Sequence, residues 1–163
     1  MTVLPFLSPL DTKCFTPAAA EILGRATIEA EATGYKLVKP EHLFLSILAS
    51  GSKSAARIFG RATQQVNSVR EMLRSDQATR PMENRKPYRG VEKSLSRSAE
   101  LVLRRAIRRA REFSQYAVGT DHLVLALLEE RAVELDRILE RLQLEPQRCL
   151  YEVTRLLTER GPR

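Results

Sequence analysis

The sequence has 163 residues, of which 43% are hydrophobic, and its formal net charge is +7. This length fits one domain or two very small ones, and the composition is sufficient for a buried core, as in a soluble globular protein. The longest apolar runs, near residues 43–48 and 123–128, are far shorter than the roughly 18 to 20 residues of a membrane-spanning helix, which argues against a membrane protein.

Two further features indicate the compartment. The first residues lack a basic stretch before the apolar ones and contain Pro5 and Pro9, so we expect no secretory signal. Cys14 and Cys149 are isolated, without CxxC spacing, which argues against a disulfide framework and against a metal site. We therefore expect a cytoplasmic protein, or a protein of the plastid stroma if the source is a plant or an alga.

The first half of the chain predicts four helices. Thr16 and Pro17 are an N-cap residue and a first-turn proline, and the helix that follows ends at Gly34. A second helix begins at Pro40 and ends at Gly51; it is apolar nearly all round, so we expect it to be the buried centre of this half. Two shorter helices follow, one containing Ala55, Ile58 and Phe59 and one containing Val66, Val69 and Leu73.

The ends of the chain and its middle predict non-helical segments. Residues 1–14 are a tail, whose apolar residues 3–10 form either a docking peptide or a disordered end. Residues 75–94 contain Pro81 and Pro87 and few apolar residues, which predicts a basic linker. Residues 160–163 are a second tail.

The second half repeats the helical pattern, with helices expected at residues 96–114, 120–130, 133–142 and 146–159. The first of these has a basic face formed by Arg104, Arg105, Arg108 and Arg109. A solvated surface and a nucleic-acid patch both fit this face, and the absence of interleaved aromatic residues favours the solvated surface. A basic helical nucleic-acid-binding protein stays an alternative, although nucleic acid is otherwise not expected as a partner.

The two halves are copies of one unit. A shift of eighty positions aligns VKPEHLFLSIL at residues 38–48 with VGTDHLVLALL at residues 118–128, and it pairs His42 with His122 without a gap. Such a match over most of both halves indicates internal duplication. We therefore predict an all-α fold of two pseudo-equivalent four-helix repeats, residues 15–74 and 95–159, that form one domain; strand patterns are absent.

The same stretches resemble a known family. FTPAAAEILGRATIEAEATGY with VKPEHLFLSIL, and LSRSAELVLRRAIRRAREFSQY with VGTDHLVLALL, resemble the two Clp repeats in the amino-terminal domain of Clp ATPases, especially the ClpC type. The resemblance covers residues 15–157. It implies a domain that binds substrates and adaptor proteins, with Clp ATPase or Clp peptidase subunits as further partners.

The resemblance also implies two equivalent pockets for phosphorylated arginine. Carried over by position, Thr16 and Glu41 would form the first pocket, and Ser96 and Asp121 the second, with Thr120 beside Asp121. A carboxylate suits the guanidinium, and a hydroxyl with free N–H groups at a helix start suits the phosphate. The simpler interpretation is that the hydroxyls are N-caps and that the acids offset the helix dipole.

Both copies depart from the Gly-Thr-Glu-His pattern of the family. Lys39 and Pro40 replace Gly-Thr in the first copy, which removes a hydroxyl and a backbone donor. The second copy keeps Gly119 and Thr120 but shortens the acid to Asp121.

Catalysis is not expected. The sequence has no GxxxxGK[ST] loop, so we expect no ATPase activity and no nucleotide or other cofactor. His42 and His122 occupy the same place in both copies, where we expect each to be packed in its helix and bonded to a neighbouring backbone group. The sequence thus predicts a non-catalytic adaptor, accessory protein or modulator of a Clp ATPase–peptidase complex; the alternative is the amino-terminal domain cut from a full Clp ATPase.

Overall fold

A computed structural model of the chain describes residues 13–79 and 95–161. These residues form eight α-helices, which confirms the all-α fold. The helices of the first repeat are α1 (Pro17–Ala32), α2 (Pro40–Ala49), α3 (Lys53–Phe59) and α4 (Val66–Ala78), with a short 3-10 helix (Gly60–Gln64) before α4. The helices of the second repeat are α5 (Arg97–Glu112), α6 (Thr120–Glu130), α7 (Val133–Arg141) and α8 (Pro146–Arg160).

The starts of the first helix in both repeats are capped by hydroxyl side chains. The Thr16 Oγ1 atom accepts a hydrogen bond from the Ala19 N–H at 3.2 Å, and the Ser96 Oγ atom accepts one from the Ala99 N–H at 3.1 Å. Each bond satisfies one of the backbone donors that a helix start leaves without a partner. The predicted N-cap role of Thr16 and Ser96 is therefore confirmed.

The two central helices form the middle of a continuous core. Residues 40–48 of α2 and residues 121–128 of α6 are all buried, and the two helices contact each other. Helices α1, α4, α5 and α7 also pack against α2, whereas α5 and α8 cover α6. This enclosure on every side is the reason why both sequences are apolar around their whole circumference.

The opening segment of each repeat lies against the other repeat. Phe15 forms a parallel bridge with Val118, and Leu95 forms the corresponding bridge with Val38. The Ser96 N–H donates to the Val38 carbonyl oxygen at 2.9 Å. Because Val38 and Val118 directly precede the central helices, the segment that starts one repeat is fixed beside the central helix of the other.

The helices extend further than expected at two places. Helix α4 continues to Ala78, so residues 75–78 belong to a helix and not to the predicted linker. Ser75, Asp76 and Gln77 are polar because this last turn is on the surface, and no proline interrupts it before residue 81. Helix α8 includes Arg160, which was assigned to the tail.

Several expectations lie outside the described residues. These are the predicted docking peptide at residues 3–10, the linker at residues 80–94, and the last two residues of the chain. Within the described ranges, none of the helices has the length and apolar character needed to cross a bilayer.

Candidate functional site

The structure exchanges the partners of the two predicted pockets. Thr16 lies beside the segment that leads into Asp121, and Ser96 lies beside the segment that leads into Glu41. The alignment of the two copies predicts the pairs Thr16 with Glu41 and Ser96 with Asp121, each within its own repeat. The correction follows from the crossing of the opening segments, which the alignment of the two copies cannot report.

A cavity of about 230 Å³ opens at the start of α6, where the two repeats meet. The first repeat contributes Thr16, the loop before α6 contributes Gly119 and the exposed Tyr116, and α8 contributes its last residue. A methyl group added at Gly119 would lie 3.9 Å from the Thr16 Cγ2 atom, so the opening residue of one repeat forms a wall for the other. The lining residues with chemically active side chains are Thr16, Tyr116, Asp121, His122 and Arg160.

Asp121 is the acidic group of this pocket. Its side chain is only 2% exposed, and its Oδ2 atom lies 2.5 Å from the Arg160 Nη1 atom. Both carboxylate oxygens are buried, and neither receives a well-oriented hydrogen bond from any residue that the structure describes, so the Arg160 contact at Oδ2 is an ion pair and Oδ1 has no donor. A buried carboxylate is stable only with a charge partner and hydrogen-bond donors, so the pocket holds an acid with remaining capacity to accept.

Arg160 reaches the pocket from the end of α8. Its side chain is 43% exposed, and its Nη2 atom also donates to the Ser54 Oγ atom at 3.1 Å. The ion pair therefore joins the buried carboxylate of Asp121 to an arginine side chain that stays in contact with solvent.

His122 is the second buried polar group of the pocket. The Gly119 N–H donates to its Nδ1 atom at 2.9 Å, so the neutral ring carries its proton on Nε2. Burial lowers the pKa of His122; Asp121 raises this pKa and Arg160 lowers it further. The Nε2 atom has no hydrogen-bond partner in the described ranges, and it is therefore a buried donor at a pocket wall.

The equivalent histidine of the first repeat is satisfied within the fold. The Lys39 N–H donates to the His42 Nδ1 atom at 2.9 Å, and the Nε2 atom lies 3.2 Å from the Thr33 Oγ1 atom. A shift of eighty positions places Phe113 opposite Thr33, so the second repeat lacks this hydroxyl. The predicted backbone bond is confirmed for both histidines, but only His42 has a side-chain partner at Nε2 among the described residues.

The other predicted site residues do not join this pocket. Glu41 is 2% exposed at the start of α2, with Ser96 near it through the Val38 contact. Thr120 is the first residue of α6 and lines a separate cavity of about 190 Å³ together with Glu21 and Arg25.

Sequence reasoning missed Arg160 and Tyr116. The apolar spacing of Val153, Leu156 and Leu157, followed by Gly161, is the signal that could have extended the predicted last helix to residue 160. No pattern in the sequence pointed to Tyr116, which is 95% exposed at the edge of the pocket.

The basic face of α5 is largely paired with acidic side chains. Arg105 contacts Glu129 and Glu130, and Arg109 contacts Glu129 and Glu112. Arg104 pairs with Glu100 in the preceding turn. The contacts with Glu129 and Glu130 tie α5 to the end of α6, and all of these pairs reduce the positive potential that nucleic-acid binding would need.

Comparison with known proteins shows the family. The chain matches the Clp repeat (R) N-terminal domain over residues 14–142. It is 26% identical over 143 residues to the ClpA homologue of Guillardia theta, an ATP-dependent Clp protease ATP-binding subunit, and 25% identical over 145 residues to the chloroplastic chaperone protein ClpC1 of Arabidopsis thaliana. The alignments cover 88% and 89% of this chain but 17% and 15% of the two relatives, so the chain spans about a sixth of their length.

Solved structures share the fold. The N-terminal domain of ClpD from Arabidopsis thaliana has a TM-score of 0.78 at 20% identity, covering 93% of this chain and 99% of that one. The Hsp104 N-terminal domain from Candida albicans has a TM-score of 0.68 at 19% identity, covering 87% and 90%. Because the family match extends over residues 14–142, which is most of the sequence, the chain belongs to the Clp repeat (R) N-terminal domain family.

Proposed function

We propose that this chain is a non-catalytic protein-binding module that serves a Clp ATPase–peptidase complex as an adaptor, accessory protein or modulator. It binds substrates, adaptors or Clp subunits through the pocket at the start of α6. The observation that carries the proposal is the buried carboxylate of Asp121 beside the unpartnered Nε2–H donor of His122, both lining one opening. Membership in the family and the description of its relatives as Clp protease subunits support the choice of complex.

The ligand that suits this pocket is a phosphorylated arginine side chain. Its guanidinium would donate to the Asp121 carboxylate, whose Oδ1 atom is open to a further donor. Its phosphoryl oxygens would accept hydrogen bonds from the His122 Nε2–H group and from the guanidinium of Arg160, which lines the same opening. Tyr116, exposed at the edge, would pack against the peptide on either side of the modified residue. The corresponding site near Ser96 and Glu41 in the first repeat is a second candidate for the same ligand.

The chemistry of the pocket supports binding over catalysis. The His122 Nδ1 atom is engaged by the backbone and its Nε2 atom carries the proton, so the ring does not offer a basic nitrogen to the pocket. We therefore propose that the chain is not an enzyme. We place it in the cytoplasm, or in the plastid stroma if its source is a plant or an alga.

A binding experiment with the full chain tests the proposal. A peptide containing one phosphoarginine, and the same peptide with unmodified arginine, would be titrated against the wild type, Asp121→Asn and Asp136→Asn, where Asp136 is a control acid paired with Arg131 on the surface. We expect the wild type and Asp136→Asn to prefer the phosphorylated peptide, and Asp121→Asn to bind it at least about tenfold more weakly, the loss expected for one charge-assisted hydrogen bond.

Purified Clp ATPase and peptidase subunits would then be tested for binding to the same three proteins. Equal binding by the wild type and Asp121→Asn in both assays would contradict the proposed site. Binding to neither peptides nor Clp subunits would contradict the proposed function.

A second candidate keeps the pocket and changes its context. The family is named for an N-terminal domain, and the relatives that the chain matches are much longer proteins. The chain would then be the substrate- and adaptor-binding domain of a full Clp ATPase. An immunoblot of the native protein separates the two candidates, because a free-standing chain migrates near 18.5 kDa.

A further inference from the structure

We propose that Arg160 is an internal occupant of the Asp121 pocket, which an incoming guanidinium must displace. The pocket is then closed by the protein's own side chain in the free state, and ligand binding releases the end of α8. This inference rests on the proposed ligand site at Asp121 and adds a form of regulation to it.

The two charged groups differ in burial. Asp121 is 2% exposed and Arg160 is 43% exposed. An arginine at the surface can return to water at small cost, whereas a buried carboxylate without a cation is strongly destabilised. A cation that enters the pocket can therefore take the place of Arg160 beside the carboxylate.

The contact between Arg160 and Asp121 is also geometrically incomplete. Arg160 approaches Oδ2 through Nη1 alone, while Oδ1 has no donor in the described part of the chain. A structural pair in the same protein differs: Arg70 donates from Nε and Nη2 to the two carboxylate oxygens of Glu29, at 2.9 and 2.8 Å. Two parallel bonds are stronger than one, so a ligand guanidinium that reaches both oxygens of Asp121 has an advantage over Arg160.

Arg160 lies at a helix end. It is the last residue of α8, and Gly161 follows it with a φ of +65°. Terminal turns open locally at low free energy, since few contacts hold them. The side chain also donates a hydrogen bond to the Ser54 hydroxyl, at 3.1 Å. Release of Arg160 therefore leaves the core of the protein intact.

A titration with a simple guanidinium compound tests this inference. The probe is N-acetyl-arginine amide, which lacks a phosphoryl group and so competes with Arg160 for the carboxylate alone; N-acetyl-citrulline amide, of similar shape but uncharged, is the control compound. Backbone amide shifts near Gly119 would be followed in the full chain. The proteins are the wild type, Arg160→Gln, Arg155→Gln and Asp121→Asn.

We expect Arg160→Gln to bind the probe about tenfold more tightly than the wild type, because removal of a competing occupant raises the binding-competent fraction. Arg155→Gln is a matched control: Arg155 lies on the same helix, is 40% exposed and pairs with Glu152 and Glu159. It should behave as the wild type, and Asp121→Asn should not bind. In the wild type, saturating probe should also accelerate amide hydrogen exchange at residues 158–161.

Equal or weaker binding by Arg160→Gln than by the wild type would overturn the inference. If Asp121→Asn still loses the phosphoarginine peptide in that case, the proposed function stands and only the internal occupant is rejected. If neither the probe nor the phosphoarginine peptide binds any of the proteins, both proposals fail.

Discussion

The backbone N–H of Thr16 donates to the carbonyl oxygen of Val118 at 2.9 Å, which fixes the start of the first repeat on the second. The side chain of the same residue caps α1 and forms a wall of the pocket at Asp121. One residue thus links the folding of a helix, the joining of the repeats and the shape of the candidate site. Substitutions of Thr16 can test the effects of its hydroxyl and its methyl group separately.

Thr16→Ala should lower the free energy of unfolding by about 1 kcal/mol, because the Ala19 N–H loses its capping acceptor. Thr16→Ser keeps the hydroxyl and should stay close to the wild type in stability while widening the pocket near Gly119. Urea denaturation measures both. Identical stability of the two variants would show that the cap is replaced by solvent.

The pair between Glu29 and Arg70 should hold α4 on α1. Its members are 12% and 24% exposed and share two hydrogen bonds, which also raise the pKa of Arg70. Glu29→Gln should lower stability by about 1.5 to 3 kcal/mol, the range for hydrogen bonds to charged groups. Glu71→Gln removes an exposed carboxylate from the same region and should have little effect. A double-mutant cycle that combines Glu29→Gln with Arg70→Met measures the coupling energy of the pair. A coupling energy of zero would show that the pair does not stabilise the fold.

The turns after α1 and α5 allow two opposite substitutions, serine for glycine in one turn and glycine for serine in the other. Gly34 and Ser114 occupy equivalent positions and have φ values of +83° and +56°. Because a left-handed backbone is unfavourable for residues other than glycine, Ser114→Gly should stabilise the protein by about 0.5 to 1 kcal/mol. Gly34→Ser should destabilise it by a similar amount through the same backbone strain; a Cβ there would lie 3.6 Å from the Gln77 side chain, an ordinary contact that adds no clash. Thermal unfolding of both variants checks the opposite signs.

His122 should make stability depend on pH. Burial lowers its pKa in the folded protein, whereas in the unfolded chain the pKa is near 6.5. The unfolded chain therefore binds a proton first as the pH falls, so this contribution to stability is complete above about pH 7 and decreases below about pH 6.5. NMR titration of the imidazole would measure the lowered pKa.

Substitution of a neighbouring arginine tests the cause of the lowered His122 pKa in the same NMR titration. Arg160→Gln should raise the pKa of His122, because Arg160 lowers this pKa in the wild type. Arg155→Gln should leave it unchanged. An unaltered pKa in Arg160→Gln would mean that the guanidinium is not near the ring in solution.

Nucleic-acid binding should be weak or absent. Arg104, Arg105 and Arg109 are paired with glutamates, so the α5 face lacks the concentrated positive charge of a phosphate-binding surface. We expect fluorescence anisotropy with single-stranded and duplex oligonucleotides at low salt to show no saturable binding. Tight binding that weakens steeply with salt, and that is lost in Arg105→Gln with Arg109→Gln, would restore this alternative.

The helices and their caps could be read from the sequence because they depend on local interactions. Thr16 and Ser96 precede regular apolar spacings, and His42 and His122 lie three residues after the backbone groups to which they bond. The last turn of α4 was predicted as linker because its polar residues look the same in a surface helix and in a loop. Local pattern is weakest at such exposed helix ends.

The duplication, the eight helices and the buried centre of each repeat could be derived from the amino-acid sequence, since they follow from residue spacing within single helices and from the match between the two halves. Which Thr or Ser lies beside which acid depends on the tertiary fold, because the opening segments cross between the repeats. The fold also brings Arg160 to Asp121 across thirty-nine positions. Contacts between distant segments depend on the path of the chain in space, and helical periodicity carries no information about that path.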